Sequence, residues 1–359
     1  MDPLNIDEFS RQAEERLPQT VFDYYAGGAD DEITLRRNQL AWQEISLRPR
    51  VLVDVSRRDL STTILGTPVS VPILTAPCGF NALAHPDGEL AVARAVTAAG
   101  SIQIVSTAAT YSLEDVAMAA PEGNRWFQLY CYRDRGVTRS LVERAVAAGY
   151  RALCLTVDVP FVGRRERDIR NQFGLPPGLR WKNLEAAGLD RMETGGDGSA
   201  LARYIEAIWD PGLTWDAVDW LRQLSSLPLI LKGILTAEDA RLAAANGASG
   251  VVVSNHGGRQ LDGAVPTAFA LREVIDAVGA SVEVYVDGGI RRGSDVLKAL
   301  AIGARAVLIG RPYLWGLAVE GEKGVLKVMD QFRRELDLCM ALSGRPTIAS
   351  IDRELLTFA

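Results

Sequence analysis

Short apolar runs recur along the chain, and each gives way to a longer stretch with helical periodicity. The runs are Pro72–Pro77 (PILTAP), Ile102–Ser106 (IQIVS), Trp126–Cys131 (WFQLYC), Ala152–Val159 (ALCLTVDV), Pro228–Gly233 (PLILKG), Gly250–Asn255 (GVVVSN), Glu283–Gly289 (EVYVDGG) and Ala306–Arg311 (AVLIGR). Unbroken apolar runs are the pattern of parallel strands covered on both faces, where neither side of the strand meets water. Between them, Gly88–Ala99 and Arg139–Ala148 are alanine-rich and amphipathic. Thr236–Asn246 opens with a threonine cap and an acidic first turn and meets Gly247 as a stop, and Ser294–Ile302 is stopped in the same way by Gly303. Eight strands alternating with helices predict an α/β protein built as a (β/α)8 TIM barrel. An open doubly wound sheet is the competing architecture, but no G-x-G-x-x-G run follows an early strand.

Two segments stand outside the repeat. Residues 1–70 precede the first strand and read as an N-terminal helical extension. Residues 160–226 form a long insertion after strand 4, well beyond an ordinary crossover. With the barrel at 72–159 and 227–345, the chain reads as a single domain over 1–359. Within the insertion, Met192–Ser199 (METGGDGS) is glycine-rich and polar, which predicts a mobile loop.

Composition narrows the class. The chain has 359 residues, of which 39 are Lys or Arg and 45 Asp or Glu, for a net charge of -6. Such a length buries a large core without disulfides or structural metal. The acidic balance lacks the electrostatic footprint of a nucleic-acid binder. No stretch approaches 18 consecutive apolar residues, so no membrane span is expected. The opening Met-Asp-Pro-Leu-Asn has no apolar signal region and the final Leu-Thr-Phe-Ala matches no common address, so the expected location is cytoplasmic. Cys78, Cys131, Cys154 and Cys339 stand at no metal or redox spacing and read as reduced thiols.

In a (β/α)8 barrel the active site lies at the C-terminal ends of the strands. Those ends carry Ala76-Pro77-Cys78-Gly79, Ser106-Thr107-Ala108, Gln128-Leu129-Tyr130, Thr156-Val157-Asp158, Lys232-Gly233, Ser254-Asn255-His256-Gly257-Gly258-Arg259, Asp287-Gly288-Gly289-Ile290-Arg291 and Gly310-Arg311. The last two are glycine-rich turns with an arginine, suited to a phosphate held by bare backbone N–H groups. His85 and His256 are the only imidazoles. His85, before a helix, reads as a capping or packing residue. His256, with Arg259 three residues on and Asp158 on strand 4, reads as an acid–base catalyst beside a carboxylate clamp. Asp158 reads as its orienting partner rather than a metal ligand, since no carboxylate or histidine cluster surrounds it; no metal is expected. A buried Lys232 needs an anion, either as a Schiff-base nucleophile or as the charge partner of an anionic cofactor, and the residues alone leave both open.

These residues carry a resemblance. Tyr24–Ala29 (YYAGGA), Gln128–Tyr130, Leu155–Asp158 (LTVD), Gly163–Glu166 (GRRE), Leu231–Gly233 (LKG), Ser254–Asp262 (SNHGGRQLD) and Asp287–Gly293 (DGGIRRG) resemble the FMN-dependent 2-hydroxy-acid oxidase/dehydrogenase family, from about residue 5 to 355. SNHGGRQLD is the most specific of these runs. The resemblance implies FMN as cofactor and a 2-hydroxy acid and O2 as small-molecule partners. It implies that His256 takes the substrate proton, with Asp158 stabilising the imidazolium. Tyr24, Arg165 and Arg259 would hold the substrate carboxylate, and Tyr130 its oxygen. Lys232 would stand at the flavin edge where negative charge builds, which speaks against the Schiff base. Ser106, Gln128, Thr156 and Ser254 would bond the flavin ring, and Pro77, Cys78 and Gly79 would pass beside it. Asp287, Gly288, Gly289, Ile290, Arg291, Gly310 and Arg311 would hold the phosphate. The resemblance also implies a homotetramer.

Two positions depart from the glycolate-oxidising branch, which has alanine in place of Gly79 and tryptophan in place of Ala108. Both changes remove volume beside the substrate side chain and match the mandelate-oxidising branch. They predict a pocket for a bulky aromatic acid, lined further by Phe80, Tyr111, Phe161 and Tyr204. The apolar insertion segment of membrane-bound relatives is polar here, at 190–196, and no N-terminal haem domain is expected. The default acceptor is therefore O2 and the product H2O2. A lactate or glycolate oxidase, or a dehydrogenase with another acceptor, is the alternative.

Overall fold

The computed structural model describes residues 2–192 and 198–358. Eight parallel strands close a barrel in chain order: β1 Ile73–Thr75, β2 Ile102–Ser106, β3 Asn124–Leu129, β4 Ala152–Thr156, β5 Leu229–Ile234, β6 Gly250–Val253, β7 Glu283–Val286 and β8 Ala306–Ile309. Closure runs through β8 against β1, with Val307 opposite Ile73. Alternation within each strand divides the core. Leu74, Ile104, Trp126, Cys154, Ile230, Val252, Tyr285 and Leu308 pack inside the barrel, and their neighbours pack outward against the helices. A hairpin of Thr62–Ile64 and Thr67–Val69 caps the N-terminal end, where Ile64 and Val69 join the interior cluster and the Leu65 N–H bonds the Glu283 carboxylate.

The strands are shorter at their C-terminal ends than their apolar runs suggest. β4 stops at Thr156 rather than Val159, β6 at Val253 rather than Asn255, β7 at Val286 rather than Gly289, and β8 at Ile309 rather than Arg311. The backbone leaves the ladder there because it turns: His256, Gly288 and Gly289 have φ of 56°, 89° and 81°, values that no extended strand holds. The helices start and stop as their caps dictate. The Thr236 hydroxyl accepts from Asp239 N at 3.2 Å to begin Ala237–Ala245, and the Asp134 carboxylate accepts from Gly136 N at 2.7 Å to begin Arg135–Ala147.

The N-terminal extension holds helices Ile6–Arg16, Gln19–Ala26 and Ile33–Gln43, with Phe9, Tyr25 and Trp42 buried. The stretch 160–226 holds Glu166–Arg170, Ala200–Ile208 and Asp216–Leu224. The last packs on Arg135–Ala147 and so occupies the crossover position between β4 and β5. Of the glycine-rich stretch within it, Glu193–Asp197 lie outside the described residues. Among the described residues no helix is long and apolar enough to cross a membrane, and no cluster of His, Cys, Asp and Glu side chains could hold a metal ion.

Candidate active site

The C-terminal mouth of the barrel opens into a cavity enclosing about 1110 Å³ of empty space with its entrance. Register places polar side chains around it. Ser106 at the end of β2 lies opposite Gln128 on β3, and Thr156 on β4 lies opposite Lys232 on β5. Ser106 Oγ donates to Gln128 Oε1 (3.2 Å), and Gln128 Nε2 donates to Thr156 Oγ1 (3.0 Å). Lys232 Nζ donates to Ser254 Oγ (2.9 Å) and pairs with Asp287 Oδ2 at 3.1 Å. Ser106 and Lys232 line the cavity, whereas Gln128, Thr156 and Ser254 stand behind them and orient them. Burial disfavours the Lys232 charge, but Asp287 and Asp158 outweigh it and hold the ammonium above its ordinary range. The buried Asp287 Oδ1 has no protein partner.

His256 enters the cavity from a turn in which it, Gly257 and Gly258 all have positive φ (56°, 65° and 75°). A histidine in that region is strained and is kept there by its surroundings. Its N–H donates to Ser254 Oγ, and its Nδ1 sits 3.0 Å from Asp158 Oδ1. Nε2 is thus the ring atom left for a ligand. Asp158 does not line the cavity and acts on it only through this contact. Gly233 makes the approach possible: at its φ of 117°, a Cβ would lie 2.6 Å from Asp158 Cβ. Burial pushes the His256 pKa below its ordinary value against the pull of Asp158. Burial also works against the Asp158 charge, yet His256 and Lys232 prevail and hold that carboxylate below its usual range.

Cations dominate the lining. Arg165, Lys232, Arg259, Arg291 and Arg311 all reach the cavity, against Asp287 as the single carboxylate in its wall among the described residues. Arg259 Nη1 donates to the Tyr24 and Gly27 carbonyls (2.6 and 2.9 Å), and its guanidinium lies 5.1 Å over the Tyr24 ring. Burial, with Arg259 alongside, lowers the Arg165 pKa to about 10. Arg311 donates to the carbonyls of Tyr25, Gly27 and Gly257, and burial beside Arg259 and Arg291 lowers its pKa to about 9. Arg291 is lowered by burial as well. Among the described residues, Arg259, Arg291 and Arg311 form no ion pair, so this face is built to meet anions.

The remaining sequence candidates divide. Tyr24, Pro77, Cys78, Gly79, Ala108, Tyr130, Gly288, Gly289, Ile290 and Gly310 line the cavity, as does Phe80. Tyr111, Phe161 and Tyr204 do not. Tyr111 turns its hydroxyl to the Pro86 carbonyl, Phe161 is 58% exposed, and Tyr204 bonds the Leu189 carbonyl from behind Trp181. The apolar wall instead comes from Val159, Val162, Trp181, Leu201, Ile205 and Trp209, with Trp209 stacked on Tyr130 at 3.7 Å between ring centroids. Leu201 and Ile205 lie four apart on an amphipathic helix, which is the one signal that could have marked them. Asn38 and Trp42 were also missed. The Asn38 and Asn255 amides bond reciprocally at 2.8 Å, and Trp42 Nε1 donates to Gly288 O at 2.9 Å. The extension thereby grips both the histidine turn and the glycine turn.

The model for FMN-dependent dehydrogenases matches residues 13–358, so the chain belongs to the FMN-dependent dehydrogenase family. Within it the chain is an FMN-dependent 2-hydroxy-acid oxidase-type enzyme. It is 52% identical to L-lactate oxidase of Nostoc sp. over 99% of this chain and 98% of that protein. It is 50% identical to glycolate oxidase of Spinacia oleracea over 98% of this chain and 95% of that one. The crystal structure of mandelate oxidase with (S)-4-hydroxymandelic acid superposes with a TM-score of 0.94 at 42% identity, covering 99% of this chain and 98% of the other.

The residues present fit FMN on their own chemistry. Half-buried guanidiniums without carboxylate partners among the described residues suit a phosphate dianion, and Gly288 and Gly289 bare their backbone beside them. Alanine is excluded at Gly289, where a Cβ would stand 2.0 Å from Asn38 O.

Proposed function

We propose that the protein oxidises (S)-2-hydroxy acids with bulky, aromatic side chains, such as mandelate, to 2-oxo acids, with O2 as the final acceptor and H2O2 as product. The contact between Gly79 and Ala108 carries this reading. A Cβ built on Gly79 would stand 3.2 Å from Ala108 Cβ and 3.6 Å from the Tyr24 hydroxyl, so backbone and one methyl group form this wall. The same cavity is lined by Trp181, Leu201, Ile205 and Trp209. Burying a phenyl ring there contributes about 1.5–3 kcal/mol, or about 10- to 150-fold in affinity.

When bound, FMN would supply the two-electron acceptor and the reactivity toward O2. The protein does the rest. Arg259, Arg165 and Tyr24 hold the substrate carboxylate in one pose. His256 Nε2 takes the proton, and Asp158 at Nδ1 stabilises the resulting imidazolium. Tyr130 donates a hydrogen bond to the substrate oxygen. Lys232 keeps a fixed positive charge where negative charge builds on reduction. Pro77, Cys78, Gly79 and Ser106 would face the ring, whereas Gln128, Thr156 and Ser254 do not line the cavity and would act on it only through Ser106 and Lys232. Gly288, Gly289, Ile290, Arg291, Gly310 and Arg311 would hold the phosphate, whereas Asp287 is a carboxylate paired with Lys232 and would not meet that anion.

Two tests follow from this reading. Ala108→Trp refills the wall and is expected to lower kcat/KM for (S)-mandelate by about 10- to 150-fold while leaving glycolate within a few-fold; equal losses on both would sink the aromatic pocket. The pH profile of kcat/KM is expected to fall on the acid side only below the ordinary imidazole value. The base acts neutral, and burial lowers its pKa. Asp158→Asn removes the group that raises the His256 pKa, so the acid limb moves to lower pH even as the plateau falls. A limb that moved upward would contradict the assigned pair. The relatives named for L-lactate and glycolate favour a second reading, a small-acid oxidase on the same machinery.

A further inference from the structure

Glu89 is a carboxylate that the chemistry above does not use. It begins the helix Gly88–Ala98, is 1% exposed, and has no cationic partner among the described residues. Burial raises its pKa. A buried carboxyl group is costly unless its oxygens are bonded, and here three donors meet it. Oε1 accepts from Asn81 N (3.0 Å) and Thr110 N (3.0 Å), and Oε2 accepts from Thr110 Oγ1 (2.6 Å). Asn81 lies on the turn after β1 that carries Gly79, and Thr110 lies on the turn after β2 that carries Ala108. Two bonds run directly between the same turns: Phe80 N to Ala108 O (2.9 Å) and Ala82 N to Thr110 Oγ1 (3.1 Å). Phe80 itself has a φ of 57°, a strained value for an aromatic residue. Glu89 is therefore a buried bridge between the two turns bordering the substrate wall, added to these two direct bonds.

We propose that Glu89 is a positioning residue that sets the gap between Gly79 and Ala108, and thereby the width of the substrate side-chain pocket. The proposal rests on the reading of that pocket given above. While the tie holds, a methyl group added at Gly79 meets Ala108 Cβ at 3.2 Å and Ala108 O at 3.3 Å, closer than side chains ordinarily pack, so the Ala108 turn must yield by a few tenths of an ångström. With the tie cut, the turns separate and admit it.

The test is a double-mutant cycle of Gly79→Ala and Glu89→Ala in the flavin-loaded enzyme, reading kcat/KM for (S)-mandelate and (S)-lactate. Gly79→Ala alone is expected to lower the mandelate value by about tenfold or more. In the Glu89→Ala background the same methyl group is expected to cost at least about threefold less. Glu89→Gln keeps an acceptor for Asn81 and Thr110 and should return both the coupling and the mandelate-to-lactate ratio close to wild type. Thr110→Val exchanges for a methyl group the hydroxyl that bonds both Glu89 and Ala82 N, cutting two of the ties between the turns, and it stands in for Glu89→Ala in the cycle should that variant fail to fold. Additive effects of the two substitutions, or equal losses on both acids with an unchanged ratio, would overturn the proposal. A wild-type enzyme that prefers lactate would overturn the aromatic reading instead, and the coupling would then be read on lactate.

Discussion

His256→Asn is expected to lower kcat/KM by about 10²- to 10⁴-fold, the range of a lost general base. Asparagine suits this position because it tolerates the left-handed backbone that His256 adopts at φ 56°. The turn, the Ser254 Oγ bond to the backbone N–H and the neighbouring glycines can therefore persist. The variant should bind flavin with an unchanged spectrum and saturate with substrate near the wild-type concentration, because Arg259, Arg165 and Tyr24 still hold the carboxylate. Rapid anaerobic mixing would then show slow flavin bleaching in a fully bound complex. A variant that bleached at the wild-type rate would remove His256 from the chemistry. One that lost flavin would make its role structural.

Arg259→Met should produce the second large loss. The guanidinium is held by the Tyr24 and Gly27 carbonyls and lies over the Tyr24 ring. It is thus aimed before substrate arrives. Truncating one partner of a buried, hydrogen-bonded charge pair costs about 2–5 kcal/mol, which is about 30- to 4000-fold in kcat/KM. KM should rise with it. Arg259→Lys should not rescue, since an ammonium cannot bond both carbonyls and the carboxylate in a fork. A neutral 2-hydroxy amide provides the control: the variant should discriminate far less between acid and amide than the wild type does. Equal losses on both would mean that Arg259 shapes the site without binding the carboxylate.

The barrel and most of the site are legible in the sequence for one physical reason. Parallel strands buried on both faces read as apolar runs, and the polar residues that end those runs have nowhere to point except the mouth. Lys232, His256, Asp287 and Arg311 were visible on that basis. Strand ends were read too long because the apolar run continues past the last ladder bond, as at Val157 and Val159, while the backbone already turns. Gly79 and Ala108 were legible as part of the substrate wall, but the part built by the insertion was not. Trp181, Leu201, Ile205 and Trp209 reach the cavity from a segment with no strand periodicity, and only tertiary packing brings them there. Tyr111, Phe161 and Tyr204 have the right chemistry but turn away, each toward a partner or solvent that no local pattern reveals. Asn38 was hidden for the opposite reason. A polar residue within a helix reads as solvated, and its amide partner lies 217 positions away.

The measurement that bears most directly on the function is an anaerobic titration of the flavin-loaded protein with (S)-mandelate, and separately with (S)-lactate, followed by admission of air. The expected result is fast loss of the flavin band with mandelate, slower loss with lactate, and rapid return of colour with one H2O2 formed per flavin reoxidised. Bleaching by lactate alone would contradict the aromatic pocket at Gly79 and Ala108. Colour that did not return in air would contradict O2 as the acceptor.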